Sequence, residues 1–261
     1  MLIDLAINPF GAAVPDMVEA ARTAERVGLS CAWVADHFSG AVVGRPWSRD
    51  PFVSLGAIAA STTTIQLGVL VANVTNRHPA QLASAVNSLQ SLAPERVRFG
   101  VGSGAAPGSR FAVEHEAIGK ELLTAAGRRE LLVDSIAALR AIWSGESSFE
   151  SGTVGFEGLT GVTDGADCPP IIVGASAWST IEVALAVADG VNVRATGDLA
   201  AQLDRLAAAR PDGFEVSVFE GLDASGLDEH AAQWAEAGCD RLILGASVPF
   251  DLDAIAALAD L

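Results

Sequence analysis

Short apolar runs alternate with helical patterns along the whole chain. The apolar runs, which predict strands, are Leu2–Ile7, Cys31–Ala35, Ile65–Ala72, Val97–Val101, Ile171–Gly174, Val191–Arg194, Phe214–Phe219 and Arg241–Leu244. They are continuous rather than alternating, which is typical of strands buried on both faces of a parallel sheet. Patterns of helical period fill the intervals near 15–27, 50–61, 79–92, 128–144, 178–188, 198–210, 228–237 and 251–260.

The ends of these helices are marked by proline and glycine. Pro15 and Pro79 suit first helical turns, and Gly28, Gly145 and Gly238 suit helix ends. Strand-then-helix units repeated through 261 residues predict a (β/α)8 TIM-like barrel, since such barrels take about 250 residues. A doubly wound α/β sheet is the alternative, and it usually needs fewer strands for this length.

Two intervals are too long for simple connections. Within a single domain of residues 1–261 we expect loop insertions at about 103–127 and 145–170. The second insertion contains Phe149–Gly152 and Val154–Glu157, which could form a small hairpin. Loops of this length in a compact fold usually form lids or substrate walls.

Net charge and cysteine content limit the possible binding partners and the cellular compartment of the protein. The formal net charge is -16, which disfavours nucleic acid and anionic membranes because the electrostatic term would be repulsive. Three cysteines without a CxxC pair, and a start without a basic region, predict a cytoplasmic protein. No uncharged run reaches the roughly 18 residues of a membrane span.

The residue inventory excludes several kinds of chemistry. Without tyrosine there is no phenolic acid or base, and Lys120 is the only lysine, so Schiff-base chemistry is not expected. The four histidines form no HxH or HExxH pair. Glu114, His115 and Glu116 are adjacent, and adjacent side chains of an extended chain point apart, so no metal site is expected.

In a barrel, functional residues collect where strands end. Asp36 and His37 follow the second predicted strand, where the imidazole could lie over a redox-active ring while Asp36 fixes its tautomer or lines the mouth. The alternative is that Asp36 caps the next turn and His37 is a polar rim residue. Asn73 ends the third strand, and its amide could bind the edge of a heterocycle. The following Arg77-His78-Pro79 could simply be a solvated helix entry.

Glycine-rich segments follow two further strands. Gly102-Ser103-Gly104 lets backbone approach a flat ligand, or else forms a tight bend at a barrel corner. Gly174, Ala175, Ser176 and Ala177 precede a predicted helix, whose amide groups could bind a cofactor phosphate. The alternative for Ser176 is an ordinary N-cap.

Five segments together resemble the bacterial-luciferase-like family of flavin- and deazaflavin-dependent oxidoreductases. They are Trp33–Phe38, Arg77–Ala80, Glu95–Gly104, Pro169–Ala175 and Ala188–Gly190, read here as WVADHF, RHPA, ERVRFGVGSG, PPIIVGA and ADG. The resemblance implies a homodimeric TIM-like barrel that holds coenzyme F420 or FMN at its C-terminal mouth and acts on a small organic substrate. The pair Asp36-His37 with Asn73 is more similar to the F420-dependent branch.

The resemblance also implies roles for individual residues. His37 would lie by the deazaflavin ring with Asp36 beside it, and a cis or bulged peptide at Leu70–Val71 would back the ring, with Asn73 at its edge. Gly102 and Ser103 would form the floor. The phosphate would lie at the turn of Gly174, Ala175, Ser176 and Ala177.

Two departures from the family pattern leave alternatives open. Sugar-phosphate dehydrogenases of this branch carry a Glu where this chain has Ala105, and Ser176-Ala177 stands where consecutive glycines are common. The principal hypothesis is an F420-dependent oxidoreductase that transfers hydride. The alternatives are an FMN-dependent monooxygenase that uses reduced flavin and O₂, and a flavin-binding barrel without catalysis.

Overall fold

The computed structural model describes residues 1–197 and 199–261 and contains a closed parallel barrel, as the sequence predicts. The barrel strands are β1 (Leu2–Ile7), β2 (Cys31–Val34), β3 (Gln66–Asn73), β4 (Val97–Gly102), β7 (Ile171–Gly174), β8 (Gly190–Arg194), β9 (Glu215–Gly221) and β10 (Arg241–Ala246). Around the barrel their order is β1-β10-β9-β8-β7-β4-β3-β2. Pairing of Leu2 with Arg241 and onward to Ile7 with Ala246 closes the barrel.

The helices follow the strands and cover the outside of the barrel. They are α1 (Val14–Arg26), α2 (Pro51–Ala59), α3 (Pro79–Leu92), α4 (Val113–Ala117), α5 (Ala125–Trp143), α6 (Trp178–Val187), α7 (Leu199–Ala209), α8 (Leu227–Glu236) and α9 (Leu252–Ala257). The helix predicted from 198 is present from Leu199, and residue 198 lies outside the described residues. Among the described helices, none has the length and apolar character needed to cross a bilayer.

The predicted helix ends are confirmed. Pro15 and Pro79 lie in the first turns of α1 and α3. Gly28, Gly145 and Gly238 all have φ near +80°, the left-handed conformation in which glycine is favoured after a helix.

The two long intervals contain more structure than the sequence pattern indicated. The hairpin is confirmed, with β5 (Phe149–Glu150) paired antiparallel to β6 (Gly155–Phe156). In the first interval a 3₁₀ turn at Arg110–Ala112 runs into α4, and α5 begins at Ala125 rather than at 128. The earlier start has a local cause, because the Thr124 hydroxyl accepts a hydrogen bond from the amide of Gly127 and so caps the helix.

Charged side chains fill the barrel interior below the strand tips. Asp4 is fully buried and accepts hydrogen bonds from Trp33 Nε1 at 2.9 Å and from Arg241 Nη1 at 3.0 Å. Arg241 Nε also donates to Glu215 at 2.8 Å, and Glu215 accepts from Arg98 at 2.6 Å. Burial raises the pKa of Asp4, and the neighbouring Arg241 opposes that rise. This network occupies the N-terminal half of the barrel, and the opposite end is left open.

Candidate functional site

A cavity of about 730 Å³ opens at the carboxyl ends of the strands. All the site residues predicted from the sequence line it, namely Asp36, His37, Leu70, Val71, Asn73, Gly102, Ser103, Gly174, Ala175, Ser176 and Ala177. They come from the tips of β2, β3, β4 and β7, which the barrel brings to one edge. The cavity lies within the size range of small-molecule and cofactor sites.

His37 is held by a buried carboxylate and two aromatic rings. Its Nδ1 lies 2.8 Å from Glu114 Oε2, and the Glu114 side chain is fully buried. The other oxygen, Glu114 Oε1, accepts the amide of Ser39 at 2.6 Å. The rings of Phe10 and Phe111 lie 5.3 and 5.4 Å from the imidazole centroid. With Nδ1 hydrogen-bonded to the carboxylate, the Nε2 atom is the nitrogen available to the cavity.

Glu114 is the residue that the sequence reasoning missed. We considered it only with its neighbours as a metal ligand, and no group of three or more His, Cys, Asp or Glu in the described residues could hold a metal. Glu114 and His115 are both buried although they are adjacent, because α4 aims them at different partners. No short-range sequence signal marks Glu114 as buried, since its neighbours Val113 and Glu116 are exposed.

Asp36 lines the cavity, but its carboxylate is already engaged. It is 5 % exposed and accepts from Arg77 Nε at 3.0 Å, from Arg77 Nη2 at 2.9 Å and from the amide of Asn73 at 3.1 Å. Asp50 also accepts from Arg77, at 2.6 Å. Burial alone would lower the pKa of Arg77, but the two carboxylates raise it above its ordinary value. Asp36 therefore connects the tip of β2 to the tip of β3 and lines the cavity mouth. The prediction that it fixes the tautomer of His37 is wrong, because Glu114 makes that contact. Any other catalytic role of Asp36 stays a prediction.

The segment Arg77-His78-Pro79 is a helix entry, as expected, but not all of its side chains are solvated. His78 is the N-cap of α3, and it forms a capping box with Gln81, so the expectation of a helix entry holds for His78. Arg77 is not simply solvated, since its guanidinium lies between two carboxylates and 5.1 Å from the ring of Phe52.

The wall at β3 is built around a cis peptide bond between Leu70 and Val71. The register of β3 against β4 shifts between Val69 and Ala72, which confirms the irregularity predicted there. A Cβ atom placed on Gly102 would lie 2.5 Å from the Val71 side chain, and one placed on Gly174 would lie 2.8 Å from it. These glycines therefore make room for Val71 rather than directly for a ligand.

Asn73 uses its side chain to hold a neighbouring loop. Its Oδ1 accepts from the amide of Thr75 at 3.0 Å and from the Thr75 hydroxyl at 2.6 Å, and its Nδ2 lies 3.4 Å from His115 Nε2. Burial lowers the pKa of His115, so this imidazole is kept neutral. The amide of Asn73 thus connects β3 to α4, and its predicted contact with a heterocycle stays a prediction.

The β7–α6 turn presents small residues at the cavity. Ser176 and Ala177 are exposed, whereas Ala175 is buried and its amide donates to Asn192 O at 2.9 Å. The N-cap of α6 is Ala177, and no side chain caps it within the described chain, so the capping role considered for Ser176 is not observed. Backbone amides at such a helix start favour an anion. The phosphate role of this turn stays a prediction.

The sequence matches the family model described as luciferase-like monooxygenase over residues 6–252. The chain belongs to this family. Curated luciferase-like relatives include a 5,10-methylenetetrahydromethanopterin reductase of Methanolobus tindarius, 27 % identical over 84 % of this chain and 59 % of its own length. An F420-dependent hydroxymycolic acid dehydrogenase of Mycobacterium tuberculosis is 29 % identical over 86 % of this chain and 60 % of its length. The chain thus spans about three fifths of these two relatives.

Solved luciferase-like structures share the barrel. An F420-dependent secondary alcohol dehydrogenase superposes with a TM-score of 0.83 at 17 % identity, over 100 % of this chain and 98 % of that one. A coenzyme F420-dependent tetrahydromethanopterin reductase of Methanopyrus kandleri gives 0.76 at 15 % identity, over 99 % and 98 %. At this identity the likeness establishes the fold of the luciferase-like barrel and not its substrate.

Proposed function

We propose that this protein is an F420-dependent oxidoreductase that transfers a hydride between the deazaflavin and a small alcohol or carbonyl substrate. The observation that carries the proposal is the His37–Glu114 pair, a proton acceptor held at the edge of a cavity of cofactor size. The F420-dependent relatives named above support the choice of cofactor.

The residues around the cavity suit such a cofactor. The bulge at Leu70–Val71 offers a backbone wall against which a planar ring could lie. Exposed Ser176 and Ala177 at the start of α6 suit a phosphate. When bound, F420 would supply the two-electron hydride acceptor of the reaction.

The protein itself supplies the proton chemistry. During alcohol oxidation, His37 Nε2 takes the hydroxyl proton while Glu114 holds the Nδ1–H and stabilises the resulting positive charge. Phe10 and Phe111 limit water around the imidazole, which strengthens this interaction. In the reverse direction the same nitrogen returns the proton to the carbonyl oxygen. Because His37 transfers the proton in this scheme, no glutamate is needed at position 105, where this chain has an alanine.

Titration of the purified protein with F420 and with FMN, followed by fluorescence quenching, tests the choice of cofactor. We expect F420 to bind at least about ten times more tightly than FMN, a difference of about 1.4 kcal/mol. Tight FMN binding without an F420 response would instead support the monooxygenase. Binding of neither would support the barrel without catalysis.

We further infer that the protein is a homodimer, as the family resemblance implies. Val53 on α2 is 69 % exposed and Leu92 on α3 is 56 % exposed. A second copy covering both would remove this apolar surface from water. Light scattering should give twice the chain mass of 26.7 kDa, and Val53→Glu should shift the protein to the monomer. A wild-type mass of one chain would contradict the dimer.

We also infer a cytoplasmic location. All three cysteines are free, and Cys31 and Cys239 are buried. Burial raises the pKa of Cys168 and of Cys239 to about 11, so both thiols remain protonated near neutrality. Inert free thiols support a reducing compartment, and the charge of -16 supports small-molecule rather than nucleic-acid partners.

A further inference from the structure

Positive charge is concentrated in the cavity of an otherwise acidic chain. Arg45, Arg110, Arg128 and Arg194 all line it, although the net charge of the chain is -16. Among the described lining residues Asp36 is the one acidic residue, and its carboxylate is neutralised by an arginine outside the lining. The cavity therefore attracts anions against the field of the whole molecule.

The four lining arginines differ in their surroundings. Arg128 donates to the carbonyl oxygens of Ala105 and Leu123, so it holds its own loop. Arg45, Arg110 and Arg194 are exposed and take part in no ion pair or side-chain hydrogen bond with any described residue. Of these three, Arg110 and Arg194 lie over aromatic rings that also line the cavity.

Aromatic stacking connects Arg110 to the imidazole. The Arg110 guanidinium lies 4.7 Å from the Phe111 ring centroid, and that ring lies 5.4 Å from the centroid of His37. Arg194, at the tip of β8, lies 5.0 Å from the ring of Phe219 on the next strand. Two rings that line the cavity thus orient both cations.

The two cations also affect each other. Burial and the charge of Arg110 both lower the pKa of Arg194. Two like charges that repel across a shared space are stabilised by an anion bound between them.

We propose that Arg110 and Arg194 form an anion clamp that binds a carboxylate or phosphate group of the substrate. The substrate is then an anionic alcohol, or its carbonyl counterpart, whose reacting carbon lies on the His37 side of the cavity. This inference rests on the proposed function. In the alcohol direction the substrate loses a hydride to the cofactor and a proton to His37, and its anionic group is unchanged.

Calorimetric titration with small anions tests the clamp. L-lactate tests for a carboxylate ligand and inorganic phosphate for a phosphate ligand, with propan-2-ol as the neutral analogue of lactate. The titrations use the wild type, Arg110→Gln, Arg110→Lys, Arg194→Gln and, as the matched control, Arg22→Gln. Arg22 is an exposed arginine of α1 outside the cavity. Each titration is performed with and without F420.

We expect the wild type to bind at least one anion and not propan-2-ol, both with and without F420. Arg110→Gln and Arg194→Gln should each weaken anion binding about 10- to 100-fold, the usual effect of losing a charged hydrogen bond. Arg110→Lys should retain part of the affinity, and Arg22→Gln should retain all of it. The F420 dissociation constant should stay within about twofold of the wild-type value in each variant.

Other results would overturn the clamp. Anion binding that disappears when F420 is present, or F420 affinity that falls tenfold in both glutamine variants, would assign the arginines to the cofactor. Equal binding of lactate, phosphate and propan-2-ol would make them ordinary surface charges. If F420 does not bind at all, the proposed function fails, and the titrations without F420 still show whether an anion site exists.

Discussion

At the scale of single residues, the site depends on how His37 is held. Its Nδ1 is hydrogen-bonded to a carboxylate that the protein buries completely, and this bond fixes which ring nitrogen faces the cavity. The buried carboxylate is stabilised in turn by the amide of Ser39. In the proposed function Glu114 is therefore a positioning residue, and His37 is the residue proposed to meet the substrate.

Replacing Glu114 by Gln should lower kcat by about 10- to 100-fold, because the amide cannot stabilise a protonated imidazole. The Michaelis constant and F420 affinity should change little, since Gln keeps the oxygen that accepts the Ser39 amide. Steady-state kinetics measures the first effect and fluorescence titration the second. Glu116→Gln, which alters an exposed carboxylate of the same helix, is the control. Equal kcat values in the two variants would remove Glu114 from the proton chemistry.

His115 should make stability depend on pH. Its pKa in the folded protein is lowered from 6.5 by burial, so below pH 6.5 the unfolded chain binds a proton that the folded one does not. Stability should therefore fall as the pH drops below 6.5, by at most about 1.4 kcal/mol per pH unit from this group. Urea unfolding at pH 7.5 and 5.5 measures the loss, which His115→Gln should reduce. An unchanged pH dependence in that variant would contradict the assignment.

At the scale of elements, the tips of β3, β4 and β7 form one packed unit. The side chain of Val71 occupies the space that Cβ atoms would need at Gly102 and Gly174. The backbone of β3 is therefore held in its irregular path by the lack of side chains on its neighbours.

Gly102→Ala should destabilise the protein by about 1–3 kcal/mol, the usual effect of overpacking, and should weaken F420 binding. In the double variant with Val71→Ala the clash is removed, so part of the stability should return. Urea unfolding and F420 titration measure both effects. Gly56→Ala in α2 is the control, because its new methyl would meet only Leu92 at 4.0 Å. A double variant no more stable than Gly102→Ala would show that Val71 does not fill this space.

The sequence predicted the elements well because their signals are local. The strands, the hairpin, the helix ends and the irregularity at Leu70–Val71 follow from short patterns or from the family resemblance. The contacts of the long β4–α5 segment could not be predicted. Glu114 and Phe111 reach His37 only because the segment folds back across the barrel mouth, and no short-range pattern encodes that return. The hydrogen bond between Asp36 and Arg77 likewise depends on the pairing of β2 with β3, which brings together residues that are far apart in the sequence.

At the scale of the whole molecule, the ion network that stabilises the barrel and the cavity proposed to carry the chemistry lie at opposite ends. The end opposite the cavity is held together by the buried ions Asp4, Arg241, Glu215 and Arg98. The cavity end carries the proposed proton acceptor and the two arginines of the proposed clamp. This division is usual in TIM barrels, whose active sites lie at the carboxyl ends of the strands.

Arg241→Met should destabilise the fold by about 3–5 kcal/mol, because it leaves Asp4 buried without its cation. The double variant Asp4→Asn/Arg241→Met should recover part of this loss, since no charge is then left unpaired. Urea unfolding measures both, and F420 affinity of the folded variants should be unchanged. Arg22→Gln, at an exposed ion pair, should cost less than about 1 kcal/mol. A single variant as stable as the wild type would contradict the structural role of the network.

The segment between β4 and α5 has a consequence for how such enzymes diversify. Within five residues it carries Arg110 and Phe111, which line the cavity, and Glu114, which holds His37 from behind. The β3 wall and the β7–α6 turn come from elsewhere in the chain. Insertion, deletion or exchange of this one segment would alter substrate choice and proton transfer in a single genetic event. The β3 and β7–α6 residues proposed to bind the cofactor lie outside this segment. New specificities can therefore arise by segment replacement, without passing through a barrel that has lost its cofactor.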